Sequence, residues 1–201
     1  MVTAVTDAVP AGRIVSFTQM KDGTREDYLL LDVAEKAYCQ GLPDRLLEAL
    51  RKMDHTLYGY PVSRLGHSLQ AATRARRDGA DDDLVVAALL HDIGDELAPY
   101  NHAALAAAVI RPYVRAEVSW IVEHHALFQS YYYAHHVGGD RHARNRYKDH
   151  PWFHACAHFC AAWDQSSFDP RFENDSLESF EEPLRRVFSR TPQHLLAPPM
   201  A

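Results

Sequence analysis

Ala87-Ala88-Leu89-Leu90-His91-Asp92-Ile93-Gly94-Asp95 is the stretch whose reading decides the fold. An apolar, helix-like run ends in a His-Asp pair, and a glycine follows. The adjacent imidazole and carboxylate serve one small volume, and a carboxylate has two oxygens, so it can bridge two metal ions. Leu84, Ala87, Ala88 and His91 stand at i, i+3, i+4 and i+7, which puts His91 on the buried face of a helix. Further His and Asp residues flank the pair at wide, helix-compatible intervals: His67 before it, and His102, His125 and Asp164 after it.

Outward from this stretch the chain reads as helix after helix. Arg25 to Tyr38 carries Tyr28, Leu29, Val33, Ala34 and Ala37 at helical spacing. Leu42-Pro43-Asp44 opens a second helix with Leu46, Leu47, Leu50 and Met53 on its apolar side. Ser63 is the expected N-cap of a third, which runs to about Arg77 and stops at Asp78-Gly79-Ala80. Asp81-Asp82-Asp83 places negative charge at the start of the next helix, where its dipole favours it. That helix continues to His91-Asp92 and is broken at Gly94. Further helices are expected at about 100–110, 113–126, 136–147, 151–166 and 176–190, with Pro112, Gly138-Gly139, Pro151 and Pro170 between them. Val15 to Thr18 suits a short extended piece, but no alternating strand pattern, internal repeat or linker appears. The expected architecture is a single all-α helical bundle: a flexible N-terminal segment or lid at 1–24, one domain at 25–190 and a tail at 191–201.

Composition agrees with a compact globular chain. The 201 residues are 47% hydrophobic and 10% aromatic, enough for a substantial core. A formal charge of −6 argues against nucleic acid as the main partner, because phosphate backbones require concentrated Lys and Arg. Cys39, Cys156 and Cys160 form no CxxC pair and read as reduced thiols. Residues 1–12 lack a basic region followed by an apolar stretch, and no run approaches bilayer-spanning length. A cytoplasmic protein without membrane partners is the expectation.

The ordered His and Asp residues imply a metal site. A mixed His/Asp set permits Fe, Mn or Zn. Four His and two Asp exceed the needs of one ion. With Asp92 bridging, one metal takes His67, His91 and Asp164, and the other takes His102 and His125 and keeps open positions where a substrate can chelate. His154 and His158, four apart and interleaved with Cys156 and Cys160, form a rival cluster, but the HExxH pattern with its general base is missing. They read as structural. His135-His136 is ambiguous, and His124 should point away from the site that its neighbour joins.

These residues carry a resemblance. HSLQ (67–70), AALLHDIGD (87–95), His102, EHH (123–125) and AWDQ (162–165) resemble the HD-domain mixed-valent diiron oxygenases, over roughly residues 58–170. That group includes inositol oxygenase and enzymes that cleave carbon–phosphorus bonds. HDIGD, APYNH, YYYAHH and the segment from Asp140 to Pro151 are similar to the branch acting on 1-hydroxy-2-(trimethylammonio)ethylphosphonate. The resemblance implies His67, His91, Asp92, His102, His125 and Asp164 as ligands of an Fe(II)/Fe(III) pair, with O2 as co-substrate. It implies hydrogen abstraction from the carbon bearing the hydroxyl and release of glycine betaine and phosphate, with an upstream hydroxylase supplying the substrate. It also implies a lid tyrosine, for which Tyr28, Tyr58 and Tyr60 are the candidates. Related enzymes carry a His, a Lys and an Arg where this chain has Asp95, Gln129 and Ala161, so the phosphonate must be gripped differently. Arg141, Arg144, Arg146 and Lys148 could supply donors, since Arg forks suit such oxyanions. Gln70 and Gln129 are further polar candidates. A quaternary ammonium requires aromatic faces or a carboxylate, which Tyr131, Tyr132, Tyr133, Phe128, Tyr58, Tyr60 and Asp95 could provide.

Two other readings compete. An HD-type phosphohydrolase would use a metal-bound water on a phosphoester, with Asp95 or Glu96 as acid or base. A non-catalytic HD module would lose no turnover with Asp92.

Overall fold

A computed structural model describes residues 13–193 apart from 56. The expected lead-in at 1–12 and most of the expected tail, 194–201, lie outside the described residues. Among those described, every regular element is helical: α1 (Arg25–Gln40), α2 (Leu42–Lys52), α3 (Arg64–Arg77), α4 (Asp82–Leu90), α5 (His102–Ile110), α6 (Ala116–Tyr133), α7 (Phe153–His158), a π-helical turn at Phe159–Asp164, and α8 (Glu178–Phe188). The fold is all-α. The piece at Val15–Thr18 is not a strand.

The described residues form two compact units, divided between Arg45 and Leu46, inside α2. In the first unit, Thr24 caps α1 with a capping box: its hydroxyl accepts from Asp27 N, while the Asp27 carboxylate accepts from Thr24 N at 3.0 Å. The same carboxylate accepts from the backbone and hydroxyl of Ser16.

The second unit is built around α4. Val85 through Leu90 are all buried, as expected of a helix that is apolar on every side. The acidic run stands at its start as expected, with Asp82 and Asp83 in the first turn and Asp81 as the N-cap, its side chain accepting from Leu84 N. α4 packs on α3, α6 and α8, α5 packs on α6, and the π-helical turn packs on α3, α6 and α7. Ser63 caps α3 by accepting from Gly66 N.

Several expected boundaries differ, and α4 ends at Leu90, so His91 and Asp92 stand in the turn after it rather than within it. α6 runs on through Tyr133, past the expected end at 126, so it carries His125, Gln129 and Tyr132 on one face at i, i+4 and i+7. The helix expected at 136–147 is two short 3-10 turns, Ala134–Val137 and Ala143–Tyr147. Gly138 between them takes φ of 81°, which ends a right-handed helix. The helix expected at 151–166 is α7 followed by the π-helical turn, whose wider coil alters the direction of every side chain after it.

Candidate metal centre

Five elements of the second unit bring the six His and Asp residues together. α3 supplies His67, the turn after α4 supplies His91 and Asp92, α5 begins with His102, α6 supplies His125, and the π-helical turn ends on Asp164. His91 and Asp92 can both face inward because the chain tightens after α4, with 3-10-type bonds from Ile93 N to Leu90 O and from Asp95 N to Asp92 O. All six are buried except His102, which is part-exposed.

The distances define two groups that share one carboxylate. His67 Nε2 lies 3.0 Å from His91 Nε2 and 3.3 Å from Asp164 Oδ1. Asp92 Oδ2 faces this group, 3.4 Å from His67 Nε2 and 3.2 Å from His91 Nε2. Asp92 Oδ1 turns the other way, 3.3 Å from His125 Nε2 and 3.5 Å from His102 Nε2. Donors bound at about 2.1 Å to one ion, 90–110° apart, stand roughly 3.0–3.4 Å from one another. The spacing fits one cation on each side of Asp92.

The surroundings fit as well. His67, His91 and His125 turn Nδ1 onto the carbonyls of Ser167, Ala88 and Val122 at 3.0, 2.8 and 2.6 Å. Donation from Nδ1–H leaves each Nε2 lone pair aimed inward, as metal-ligating histidines require. Asp164 Oδ2 is buried with no hydrogen-bond partner, and a carboxylate oxygen in that condition is costly unless a cation meets it. The electrostatics are mutual. Burial opposes charge on His91, but the carboxylate of Asp92 overrides it and raises the imidazole well above its ordinary value. Burial would raise Asp92, yet His91, with hydrogen bonds from His125 and His67, holds it well below the usual carboxylate range. Asp164 is lowered in the same way by His67 and His91.

A cavity of about 330 Å³ opens over this set. His67, Asp92, His102, His125 and Asp164 reach it, and Tyr60, Tyr132, Tyr133 and Phe168 give it aromatic walls. Phe168 stacks on His67 at 4.4 Å and on Tyr60 at 5.1 Å, and Gly59, with φ of 111°, turns the chain just before Tyr60. Of the expected lid tyrosines, Tyr60 lines the cavity and Tyr58 is 89% exposed. Tyr28 belongs to the first unit, where its ring stacks on Phe17 and its hydroxyl donates to the Met20 carbonyl.

The expected substrate contacts scatter. Gln129 lines the cavity, donates to Asp164 Oδ1 at 3.0 Å and leaves its own Oε1 buried without a partner. Gln70 is buried, does not line the cavity and donates to the Asp169 carbonyl. Arg141 and Arg144 stack on Tyr131 at 4.3 and 3.8 Å, while Arg146 and Lys148 are exposed; none of the four lines the cavity. Phe128 is fully buried core. The guanidinium that does reach the cavity is Arg64, which sequence reasoning missed. Its signal was its position three residues before His67, on the same helix face. Asp95 does not line the cavity. The rival cluster does not assemble, since His158 pairs with Asp78 at 2.8 Å and His154 is exposed, while Cys156 and Cys160 are buried. His124 points away from the centre and stacks on Trp120 at 4.1 Å.

A helical unit whose helix ends converge on four His and two Asp, with one carboxylate shared between two groups, defines a metal-binding helical protein. The HD domain family matches residues 64–166, just over half of the chain, and the chain belongs to that family. The match begins at Arg64 and takes in the whole convergent set. A curated relative is the [1-hydroxy-2-(trimethylamino)ethyl]phosphonate dioxygenase (glycine-betaine-forming) of Leisingera caerulea. It is 30% identical over 92 residues, covering 40% of this chain and 47% of that protein. The chain thus spans about half the length of the curated relative it matches. Among the described residues, no helix is long and apolar enough to cross a membrane. Family, site and relative together support a metal-dependent enzyme of the HD type.

Proposed function

We propose that this chain is a diiron oxygenase that cleaves the carbon–phosphorus bond of a 1-hydroxylated aminophosphonate, with (R)-1-hydroxy-2-(trimethylammonio)ethylphosphonate as substrate. The observation that carries the reading is Asp92, whose two oxygens face two separate ligand groups. His67, His91 and Asp164 would hold one iron and His102 and His125 the other, with an oxygen of Asp92 available to each. When bound, an Fe(II)/Fe(III) pair supplies dioxygen activation and chelation of the substrate hydroxyl and phosphonate.

The remaining work falls to side chains. Both groups border the cavity, and the His102/His125 group offers the fewer protein donors, so an ion held there would keep the positions open to a chelating substrate. Gln129 Oε1, buried and unpartnered, accepts from the substrate hydroxyl. Tyr60, Tyr132, Tyr133 and Phe168 face the trimethylammonium, which can donate no hydrogen bond and is drawn to aromatic faces. The same rings exclude water from the reacting carbon. Tyr60, which lines the cavity and stacks on Phe168, is the lid residue. One O2 is consumed for each glycine betaine and phosphate formed, and the balance of atoms requires no further reductant.

The test is simultaneous measurement of oxygen uptake and phosphate release by iron-loaded protein given the racemic substrate. Equal uptake and release, with glycine betaine formed, supports the reading. Phosphate without oxygen uptake assigns the hydrolase reading instead.

A further inference from the structure

His102 differs from the other three histidines of the centre. Theirs are oriented by backbone carbonyls at 2.6–3.0 Å. His102 Nδ1 makes a longer hydrogen bond, to Pro99 O at 3.4 Å, and a carboxylate oxygen, Asp95 Oδ1, lies at the same 3.4 Å from it. Asp95 is in turn fixed from behind. Arg64 Nε donates to Asp95 Oδ2 at 2.7 Å, and Nη2 lies 2.5 Å from the same oxygen. Nη2 also donates to Oδ2 of Asp92. Arg64 is 7% exposed, and although burial disfavours its charge, Asp92 and Asp95 together raise its pKa. One planar cation therefore ties the bridging carboxylate to the carboxylate that faces His102. Gly94 completes the arrangement, because the space a Cβ would take there is filled by the His102 backbone.

We propose that Asp95, anchored by Arg64, is the positioning residue for His102 and sets the affinity of the His102/His125/Asp92 metal site separately from the His67/His91/Asp164 site. Asp95 stands behind the ligands and does not line the cavity, so it acts on the metal rather than on a substrate ammonium. A carboxylate on the far nitrogen fixes ring orientation and raises ligand basicity, and losing such a partner typically costs about 10–100-fold in metal affinity. The inference rests on the two-metal reading but not on the reaction catalysed.

The experiment is Mn(II) and Co(II) titration of demetallated full-length protein, wild type against Asp95→Asn and Asp95→Ala. The wild type should take up two ions. Asp95→Asn keeps the shape, leaves Arg64 on Asp92 Oδ2 and removes only the charge that faces His102, so it should bind the first ion normally and the second about 10–100-fold more weakly. The undisturbed first site serves as the folding control. Two ions bound by Asp95→Asn with wild-type affinity would overturn the inference and leave the two-metal reading standing. Equal weakening of both sites would reduce Asp95 to a structural role and overturn it as well. A wild type that takes up only one ion would remove the two-metal reading and the inference together. In steady-state kinetics, Asp95→Asn should change KM for the trimethylammonio substrate and for its primary-amine analogue by the same factor. A selective loss for the quaternary ammonium would place Asp95 at the substrate instead.

Discussion

Replacing Gly94 by alanine tests the geometry of the centre without touching a ligand. Gly94 does not take positive φ, so nothing in its backbone conformation forbids a side chain. Space does. A Cβ built there lies 2.6 Å from the carbonyl oxygen of His102, 2.9 Å from its Cα and 3.1 Å from its carbonyl carbon. Ordinary contact begins near 3.4 Å, so the two backbones must part by about 0.8 Å. Both obstacles are main chain, and no rotamer change relieves them. Metal–ligand distances tolerate about 0.2 Å, so the displacement is several times what His102 can absorb while still ligating. Overpacking of this kind costs about 1–3 kcal/mol in stability. The expected outcome for Gly94→Ala is a lower Tm, loss of the second metal ion in Co(II) titration and retention of the first. Two ions bound with wild-type affinity, at an unchanged Tm, would refute the close-approach reasoning and leave Gly94 as an ordinary helix terminator.

Other outcomes follow from the same structure. Asp92→Ala should abolish turnover and strip both metals, since each ion loses one oxygen; retention of two irons with normal activity would end the bridging role. Leu90→Ala, at a fully buried position beside His91, should lower unfolding free energy by about 2–5 kcal/mol, measured by denaturant titration, and a loss under about 1 kcal/mol would show that the core around α4 collapses to fill the space. The α1 cap should be acid-labile over a defined range. Hydrogen bonds from the Ser16 and Thr24 backbones hold Asp27 at about 2, against 3.8 ordinarily. A depressed carboxylate stabilises the folded form fully above its unfolded pKa and loses that contribution as pH falls through the folded one. Amide exchange at Ser16 and Thr24 should therefore accelerate between about pH 4 and pH 2 in the wild type, and an Asp27→Asn protein should show no such pH dependence. If the wild type and Asp27→Asn behave identically across that range, the cap does not depend on the Asp27 charge.

The sequence by itself determined the fold class and the convergent set. Helical periodicity with Ser63 as a cap and the acidic run Asp81-Asp82-Asp83 at a helix start, together with the absence of strand alternation, was enough for an all-α chain, because those signals are local and repeat every turn. The order His67, His91-Asp92, His102, His125, Asp164 was legible because chemically distinctive residues stand at helix-compatible intervals, and the structure brings all six together. What tertiary structure alone decided is which oxygen of Asp92 faces which group, and which polar residues surround them. Asp95 read as a substrate contact because it follows the His-Asp pair, but the tightened turn after Leu90 directs it onto Arg64 and His102. Arg64 itself carried no signal beyond helix phase, and its charge is used across a gap of about thirty residues in sequence. The basic cluster at Arg141–Lys148 looked like an oxyanion site because charge is visible in a sequence, whereas the left-handed turn at Gly138 and the stacking on Tyr131 that keep it off the cavity walls are not. The π-helical turn that ends on Asp164 was invisible for a related reason. One extra residue per turn changes the facing of a side chain without changing composition, and only packing against α3 and α6 selects it over a regular helix.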